Sequence, residues 1–181
     1  FRFNKAKKML NFCYTQIPYQ YFDIGLTFFN KQKYYKALQN FNKAEQTADQ
    51  SLLLEIESYK RDIAQYLINE VKLNMDNQTF SKSIEKLNEA RQISPFLWSE
   101  TDKVEAQILL KKANILKNLN NYSLAIDYFQ QALELDPSLF IEINDIYTKL
   151  IIGILEEVNE TQNYNDLILV KDYLDIIIQL K

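Results

Sequence analysis

The side chains that usually carry enzymatic chemistry are few and scattered in this sequence. No histidine occurs among the 181 residues, so neither a histidine-dependent triad nor a histidine-ligated metal site can be assembled. Cys13 is the single cysteine, which excludes an intrachain disulfide and a zinc cluster. The two glycines, Gly25 and Gly153, lie too far apart for a phosphate-binding loop. We therefore predict a chain that is not an enzyme and binds neither a cofactor nor a metal.

Two pairs of carboxylates come close together in the sequence, Glu55 with Glu57 and Glu156 with Glu157. Residues one or two positions apart on a helix face different directions, so neither pair can act jointly on one substrate. We interpret both pairs as solvated helix surface. Cys13 is expected to be a small core residue of the first helix.

Charge and hydropathy bear on the class of partner. The stretch NKQKYYK, residues 30–36, mixes lysine with aromatics as an RNA-binding loop can. A net charge of −3 and a pI near 5.1 argue against a nucleic-acid surface, which needs an excess of basic residues. The longest apolar run, at 150–155, is too short to span a bilayer. We predict no nucleic-acid partner, no direct membrane insertion and a cytoplasmic location, which the single cysteine fits.

The sequence predicts that helices form nearly the whole chain, so any binding surface must be built on helices. Only two glycines and three prolines interrupt the sequence, and apolar residues recur at three- and four-residue intervals, as at Leu109, Ala113 and Leu116. In SLLLEIESYKRDIAQYLINEV a single apolar seam continues without a break, which predicts one long helix over about residues 51–75. SETD at 99–102 is a plausible helix start, with Ser99 as the cap. The fold class predicted is all-α.

Internal repetition organises these helices. FNKA occurs at 3–6 and again at 41–44, and two long stretches follow one template. The first helix of the template carries a small residue, Gly25 or Ala113, and a turn leads to an aromatic residue that opens the second helix. The second helix then carries alanine, an aromatic residue and alanine at fixed spacing: Ala37, Phe41, Ala44, and Ala125, Phe129, Ala132. Such small residues let two helix backbones approach while the aromatic ring fills the neighbouring space.

The template resembles the tetratricopeptide repeat, a helix-turn-helix unit. This resemblance implies an α-solenoid of stacked antiparallel helix pairs wound into a right-handed superhelix. We expect a single array, with 1–17 as the second helix of an incomplete unit, 18–51, 64–97 and 106–139 as repeat units, and 148–181 as a degenerate unit. Both ends are apolar, so we expect the chain to be a segment of a longer array. Further repeats, self-association or another chain are the alternatives for covering these ends.

The family resemblance also implies a function, which is to bind a peptide or helix of a partner protein in the concave groove lined by the first helices. The groove-side residues that it implies are Tyr19, Phe22, Leu26, Phe29, Ile68, Lys72 and Asn114. Tyr19, Phe22 and Leu26 have an alternative role in packing against a further amino-terminal unit. The carboxylate clamp with which some family members hold a chaperone tail is not expected, because Phe22 and Leu26 replace its first lysine and asparagine.

We therefore predict a non-catalytic scaffold or adaptor that works within a larger complex. The alternative is an accessory helical arm of an enzyme or of an RNA-binding protein.

Overall fold

A computed structural model describes residues 2–75, 79–119, 121–161, 168 and 171. The chain divides into two compact units, Phe1–Thr101 and Asp102–Lys181, which we call unit 1 and unit 2. Every regular element among the described residues is helical, so the predicted all-α class is confirmed. The α-helices are α1 (Arg2–Asn30), α2 (Tyr34–Glu45), α3 (Gln50–Asn74), α4 (Phe80–Ile93), α5 (Trp98–Asn118), α6 (Tyr122–Leu135) and α7 (Phe140–Thr161).

In unit 1, a three-residue turn reverses the chain between α1 and α2. The backbone N–H of Lys33 donates to the carbonyl of Phe28 (2.9 Å), and that of Gln32 donates to Phe29 (2.8 Å). Gln32 takes the left-handed conformation with φ 56°, which is the geometry of a Schellman helix end. The next helix begins at once, since Ala37 N–H donates to Lys33 O at 3.0 Å. The turn therefore sets α1 and α2 as an antiparallel pair.

The crossing of α1 and α2 depends on Gly25. A Cβ atom at this position would lie 2.5 Å from Cε1 and 2.6 Å from Cδ1 of Phe41, far inside normal van der Waals separation. Phe41 is completely buried, as are Ala37 and Ala44 on the same face of α2. A residue without a side chain on α1 thus makes room for the ring that fills the space between the two helices.

The third helix is as long as its sequence predicts. α3 spans Gln50–Asn74, close to the expected 51–75. Asp49 precedes its first residue, and the Asp49 side chain accepts a hydrogen bond from Leu52 N–H and so caps the helix. Leu52, Ile56 and Ile63 lie on its apolar seam and are buried in the core of unit 1. Farther along, α3 packs against α4, on which Ser83, Leu87 and Ala90 are buried.

Unit 2 repeats the features of the α1–α2 pair. Asn121 N–H donates to Leu116 O at 2.9 Å, and Ala125 N–H donates to Asn121 O at 3.1 Å, as Lys33 and Ala37 do in unit 1. The small and aromatic residues of the template are completely buried in one core that α5, α6 and α7 share: Ala113, Ala125, Phe129 and Ala132. In this core Phe129 meets Tyr147 of α7 edge to face, with ring centroids 5.5 Å apart.

Proline ends the second helix of two pairs in the same way. Ser94 and Asp136 each leave the helical conformation and donate a backbone hydrogen bond to the alanine four residues earlier. A 3₁₀ turn follows each of them, Pro95–Leu97 and Pro137–Leu139, and leads directly into the next helix. Asp136 also accepts hydrogen bonds from the backbone N–H and the hydroxyl of Ser138, at 3.1 and 2.6 Å. Proline suits the first position of a helix because its missing N–H is not needed there.

Several details differ from the sequence-based expectation. The boundary expected between residues 17 and 18 falls inside a continuous α1, which contains Pro18. Cys13 is exposed on α1, so its prediction as a core residue is wrong: no described helix packs on this part of α1. α5 begins at Trp98, one residue before the expected cap Ser99. Most of the degenerate unit at 148–181 lies outside the described residues, and Ile168 is exposed.

The Gly25–Phe41 contact gives a stability prediction. Gly25→Ala should lower the free energy of unfolding, because the added methyl group overpacks a site where a ring already lies, at a cost of about 1 to 3 kcal/mol. This cost opposes the gain of about 1 kcal/mol that alanine brings to a helix. Urea denaturation monitored by circular dichroism measures the resulting difference in the free energy of unfolding between Gly25→Ala and the unmodified chain.

The control for this prediction is the double variant. In a Phe41→Leu background the smaller side chain leaves space for the methyl group, so adding Gly25→Ala should be neutral or stabilising. If Gly25→Ala has the same effect with Phe41 and with Leu at position 41, the ring does not limit the crossing.

Candidate protein-binding site

The groove residues implied for α1 fall largely into the core of unit 1. Phe22 is only 5% exposed, and its ring lies 5.7 Å from that of Phe41. Leu26 and Phe29 are half-buried and pack against the same core. Tyr19 is the most exposed of the four, at 38%. The burial of Phe22 arises from its contacts with Phe41 of α2 and Tyr59 of α3.

An aromatic cluster that includes Tyr59 of α3 explains this burial. The Tyr59 ring contacts Phe22 and Phe29 edge to face, at 5.7 and 5.1 Å, and stacks on Phe41 at 5.8 Å. Tyr34 contacts Phe29 at 5.7 Å and so extends the cluster. Such ring pairs contribute about 0.5 to 1.5 kcal/mol beyond the area that they bury. The sequence signal for this cluster was the apolar seam of α3, which contains Tyr59.

Tyr19 connects α1 to the beginning of α3. Its hydroxyl donates to Asp49 Oδ2 at 2.8 Å, while Asp49 Oδ1 accepts from Leu52 N–H at 2.9 Å. The hydrogen bond from Leu52 and that from Tyr19 lower the pKa of Asp49, and the same contact with Asp49 raises the pKa of the Tyr19 phenol. The hydroxyl of Tyr19 is therefore held by Asp49, while the residue as a whole remains 38% exposed.

On α3, the two implied groove residues have opposite environments. Ile68 is completely buried and contributes to the core. Lys72 is exposed, and its ammonium group lies 2.6 Å from Glu100 Oε1. Gln65 also donates to Glu100 Oε1, at 2.9 Å, so one carboxylate holds two side chains of α3. The hydrogen bonds from Lys72 and then Gln65 lower the pKa of Glu100.

In unit 2, Asn114 of α5 is half-buried, and its side-chain amide donates to the carbonyl of Leu110 at 3.1 Å. The neighbouring Leu110 is buried, whereas Gln107, two turns before Asn114, is exposed. Asn114 thus uses one amide hydrogen within its own helix. The second amide hydrogen and the carbonyl oxygen of an asparagine side chain can form hydrogen bonds with a ligand.

The described part of the chain contains neither a group of candidate metal ligands nor a membrane-spanning helix. Among these residues, no three His, Cys, Asp or Glu side chains are grouped as metal ligands would be. None of the helices searched there combines the length and apolar character needed to cross a bilayer.

Comparison with known protein families agrees with the geometry of unit 2. Residues 106–139 match the tetratricopeptide repeat. Searches of curated proteins and of solved structures find no match to the chain. The matched repeat contains α6 and most of α5, and it ends in the 3₁₀ turn that begins at Pro137. The resemblance inferred from the sequence is supported, and an all-helical chain with antiparallel helix pairs fits a helical-repeat solenoid.

The tetratricopeptide repeat assigns roles to the residues of its core. Ala113 of α5 and Ala125 and Ala132 of α6 are the small residues at the helix crossing, and Phe129 is the ring beside them. Domains of this family generally mediate protein-protein interaction. The side of α5 that carries Ala113 is filled by this core, whereas Gln107 of the same helix is exposed.

The Glu100 contacts give a prediction about pH. Because Lys72 and Gln65 depress the folded-state pKa of Glu100, this carboxylate adds stability above its unfolded pKa of about 4.3 to 4.5. The stability is lost as the pH falls through the lower folded-state pKa. Glu100→Gln should therefore reduce the free energy of unfolding at pH 7, by up to about 1 kcal/mol for a half-exposed pair, and the difference should shrink towards pH 3.

Urea denaturation of both proteins at several pH values measures this difference. Asp145→Asn is the control, because the Lys149–Asp145 pair is far more exposed and should contribute little at any pH. A difference for Glu100→Gln that stays constant from pH 7 to pH 3 would contradict the role of the Glu100 charge.

Proposed function

We propose that this chain is a non-catalytic scaffold or adaptor that binds an extended peptide or a helix of a partner protein through the first helices of its helix pairs. The observation that carries the proposal is the match of residues 106–139 to a repeat that generally binds proteins. The polar residues exposed on first helices in both units support it. The proposed role in a larger assembly rests on the same family behaviour.

The burial of individual side chains narrows the proposed contact residues. Phe22 and Ile68 lie beneath the surface, so their role is to fix α1 and α3. In unit 1, Tyr19 and Lys72 are the exposed members of the set, whereas Leu26 and Phe29 are half-buried. In unit 2, the half-buried Asn114 is the candidate. Unit 1 thus offers a ligand an aromatic side chain and an ammonium group, and unit 2 by itself offers a carboxamide.

The electrostatic environment of Lys72 favours an acidic group on the ligand. Lys72 and Glu100 form an ion pair in which the two side chains are 41% and 34% exposed. Pairs of this kind contribute about 0 to 1 kcal/mol to stability. A carboxylate of the partner can therefore exchange with Glu100 as the ion-pair partner of Lys72 at little cost in stability.

A peptide selection tests the proposal whichever protein the partner is. A display library of random dodecamer peptides is selected on the immobilised chain, and the affinities of the enriched peptides are measured by fluorescence anisotropy. We expect enrichment of Asp and Glu. Lys72→Glu and Tyr19→Ala should each weaken binding about tenfold, because interface energy concentrates in few residues, aromatic ones above all.

Tyr35→Ala is the matched control, since Tyr35 is a tyrosine of unit 1 that is 72% exposed on α2. This variant should bind the peptides as the unmodified chain does. Circular dichroism melting checks that all three variants are folded. Peptides whose affinity depends on Tyr35 but not on Tyr19 or Lys72 would place the binding surface elsewhere.

A further inference from the structure

A cleft in unit 1 lies where α2 and α4 end beside α3. It has a volume of about 240 Å³. One wall is the segment 92–96, which contains the end of α4 and the start of the following 3₁₀ turn. The remainder is formed by Glu57 and Lys60 of α3 and by Glu45, the last residue of α2. All of these residues belong to unit 1, and none is a groove residue implied by the family resemblance.

The buried polar side chain of the cleft is that of Ser94. This residue is only 4% exposed, and it precedes the 3₁₀ turn Pro95–Leu97 without capping it through its side chain. At the corresponding position of unit 2, Asp136 accepts two hydrogen bonds from Ser138, at 3.1 and 2.6 Å. Among the described residues, none forms a hydrogen bond with the Ser94 hydroxyl. A buried hydroxyl in this state gains free energy when a ligand supplies the missing hydrogen bond.

The two carboxylates of the cleft differ in their contacts. Glu45 is engaged, because the ammonium group of Lys60 lies 2.6 Å from Glu45 Oε2. Glu57 is exposed, and no cationic side chain in the described part of the chain forms an ion pair with it. The described lining residues thus carry two negative charges and one positive charge, and one carboxylate is left to bind a cation.

The ends of two helices add to the negative potential of the cleft. α2 ends at Glu45 and α4 ends at Ile93, and both residues line the cavity. The carbonyl groups in the last turn of a helix carry about half of a negative elementary charge in total, which favours a cation. The helix ends and the Glu57 carboxylate therefore favour a ligand of the same sign.

Phe96 indicates which cation suits the cleft. This residue lines the cavity and is 73% exposed. The guanidinium carbon of Arg61 lies 5.3 Å from the centre of its ring, so the ring already takes part in one cation–π contact. A guanidinium group stacks on aromatic rings and presents five N–H donors, whereas an ammonium group is a compact and strongly hydrated charge. Guanidinium therefore matches a cleft that combines an aromatic ring with the oxygen atoms of Ser94 and Glu57.

We infer that this cleft binds the side chain of an arginine from a partner protein. The guanidinium group forms an ion pair with Glu57 and donates a hydrogen bond to the Ser94 hydroxyl. The aliphatic part of the arginine lies against the apolar lining residues Ile93, Pro95 and Phe96. Pockets for drug-sized ligands begin at about 300 Å³, so a volume of about 240 Å³ suits one long side chain better than a whole small molecule.

An arginine peptide titrated into the isotope-labelled whole chain tests this inference. The probe is a blocked pentapeptide with a central arginine between alanine and glycine residues. Two-dimensional amide NMR spectra should show saturable shifts at Glu57, Ser94 and Phe96. A matched peptide with citrulline, which keeps the shape of arginine without its charge, should bind at least about tenfold more weakly. A lysine peptide should bind about threefold more weakly, because an ammonium group has fewer donors and stacks less well.

Matched variants of the chain locate the binding. Glu57→Gln should weaken arginine binding at least about tenfold, because it removes the charge that pairs with the guanidinium group. Glu55→Gln is the control, since Glu55 is exposed on the same helix but faces another direction. Ser94→Ala should weaken binding about threefold through the loss of one hydrogen bond. The melting temperature should not fall in Ser94→Ala, because the hydroxyl caps no turn in the free chain.

Four results would overturn the inference. Equal binding of the arginine and citrulline peptides would show that charge is not recognised, and equal effects of Glu57→Gln and Glu55→Gln would place the peptide elsewhere. Tighter binding of free arginine than of the peptide would assign the cleft to a small molecule. The fourth result is an absence of saturable shifts at millimolar peptide. The surface proposed around Tyr19 and Lys72 consists of other residues and favours acidic peptides, so these outcomes leave that proposal unaffected.

Discussion

The close approach of two helices at a residue with little or no side chain is the constraint on which the rest of this structure depends. In unit 1 the contact is Gly25 against the Phe41 ring, where even a methyl group would lie 2.5 Å from a ring carbon. In unit 2, alanines on α5 and α6 leave the corresponding space for Phe129. Because protein interiors are packed as densely as organic crystals, one large ring beside one small residue fixes both the distance and the lateral register of the helix pair.

The turns and caps follow from that register. An antiparallel pair at a fixed crossing needs a short reversal, and the same hydrogen bond across five residues closes α1 at Phe28 and α5 at Leu116. The arrangement of α1 and α2 in turn determines which side chains α3 contacts. Since α2 brings Phe41 to the crossing, the long α3 can place Tyr59 against it, and three phenylalanines then share one tyrosine. Side-chain size at one crossing thus propagates into an aromatic core.

The sequence is sufficient to predict the features that depend on local pattern. The length of α3 follows from one apolar seam, and the burial of Ala125, Phe129 and Ala132 follows from their spacing. The burial of the groove residues was harder to predict. A family pattern gives the position of a residue on its own helix, but it does not show which other helices pack on that residue. Phe22 is buried because Tyr59 reaches it from a lengthened helix. Likewise, the exposure of Cys13 depends on the absence of a neighbouring described helix, which no local pattern reveals.

The two copies of FNKA show that local sequence predicts conformation but not burial. Both are helical and both form one side of an amphipathic surface, so the sequence determines conformation and periodicity in each case. The copy in α2 follows α1, which supplies Gly25 and aromatic residues and leads into α2 through a three-residue turn. A short connection raises the effective concentration of one helix near the other, and the pair forms without any partner. Phe3, by contrast, is 80% exposed, so the same residue in the same local sequence is buried or exposed according to whether a described helix packs on it.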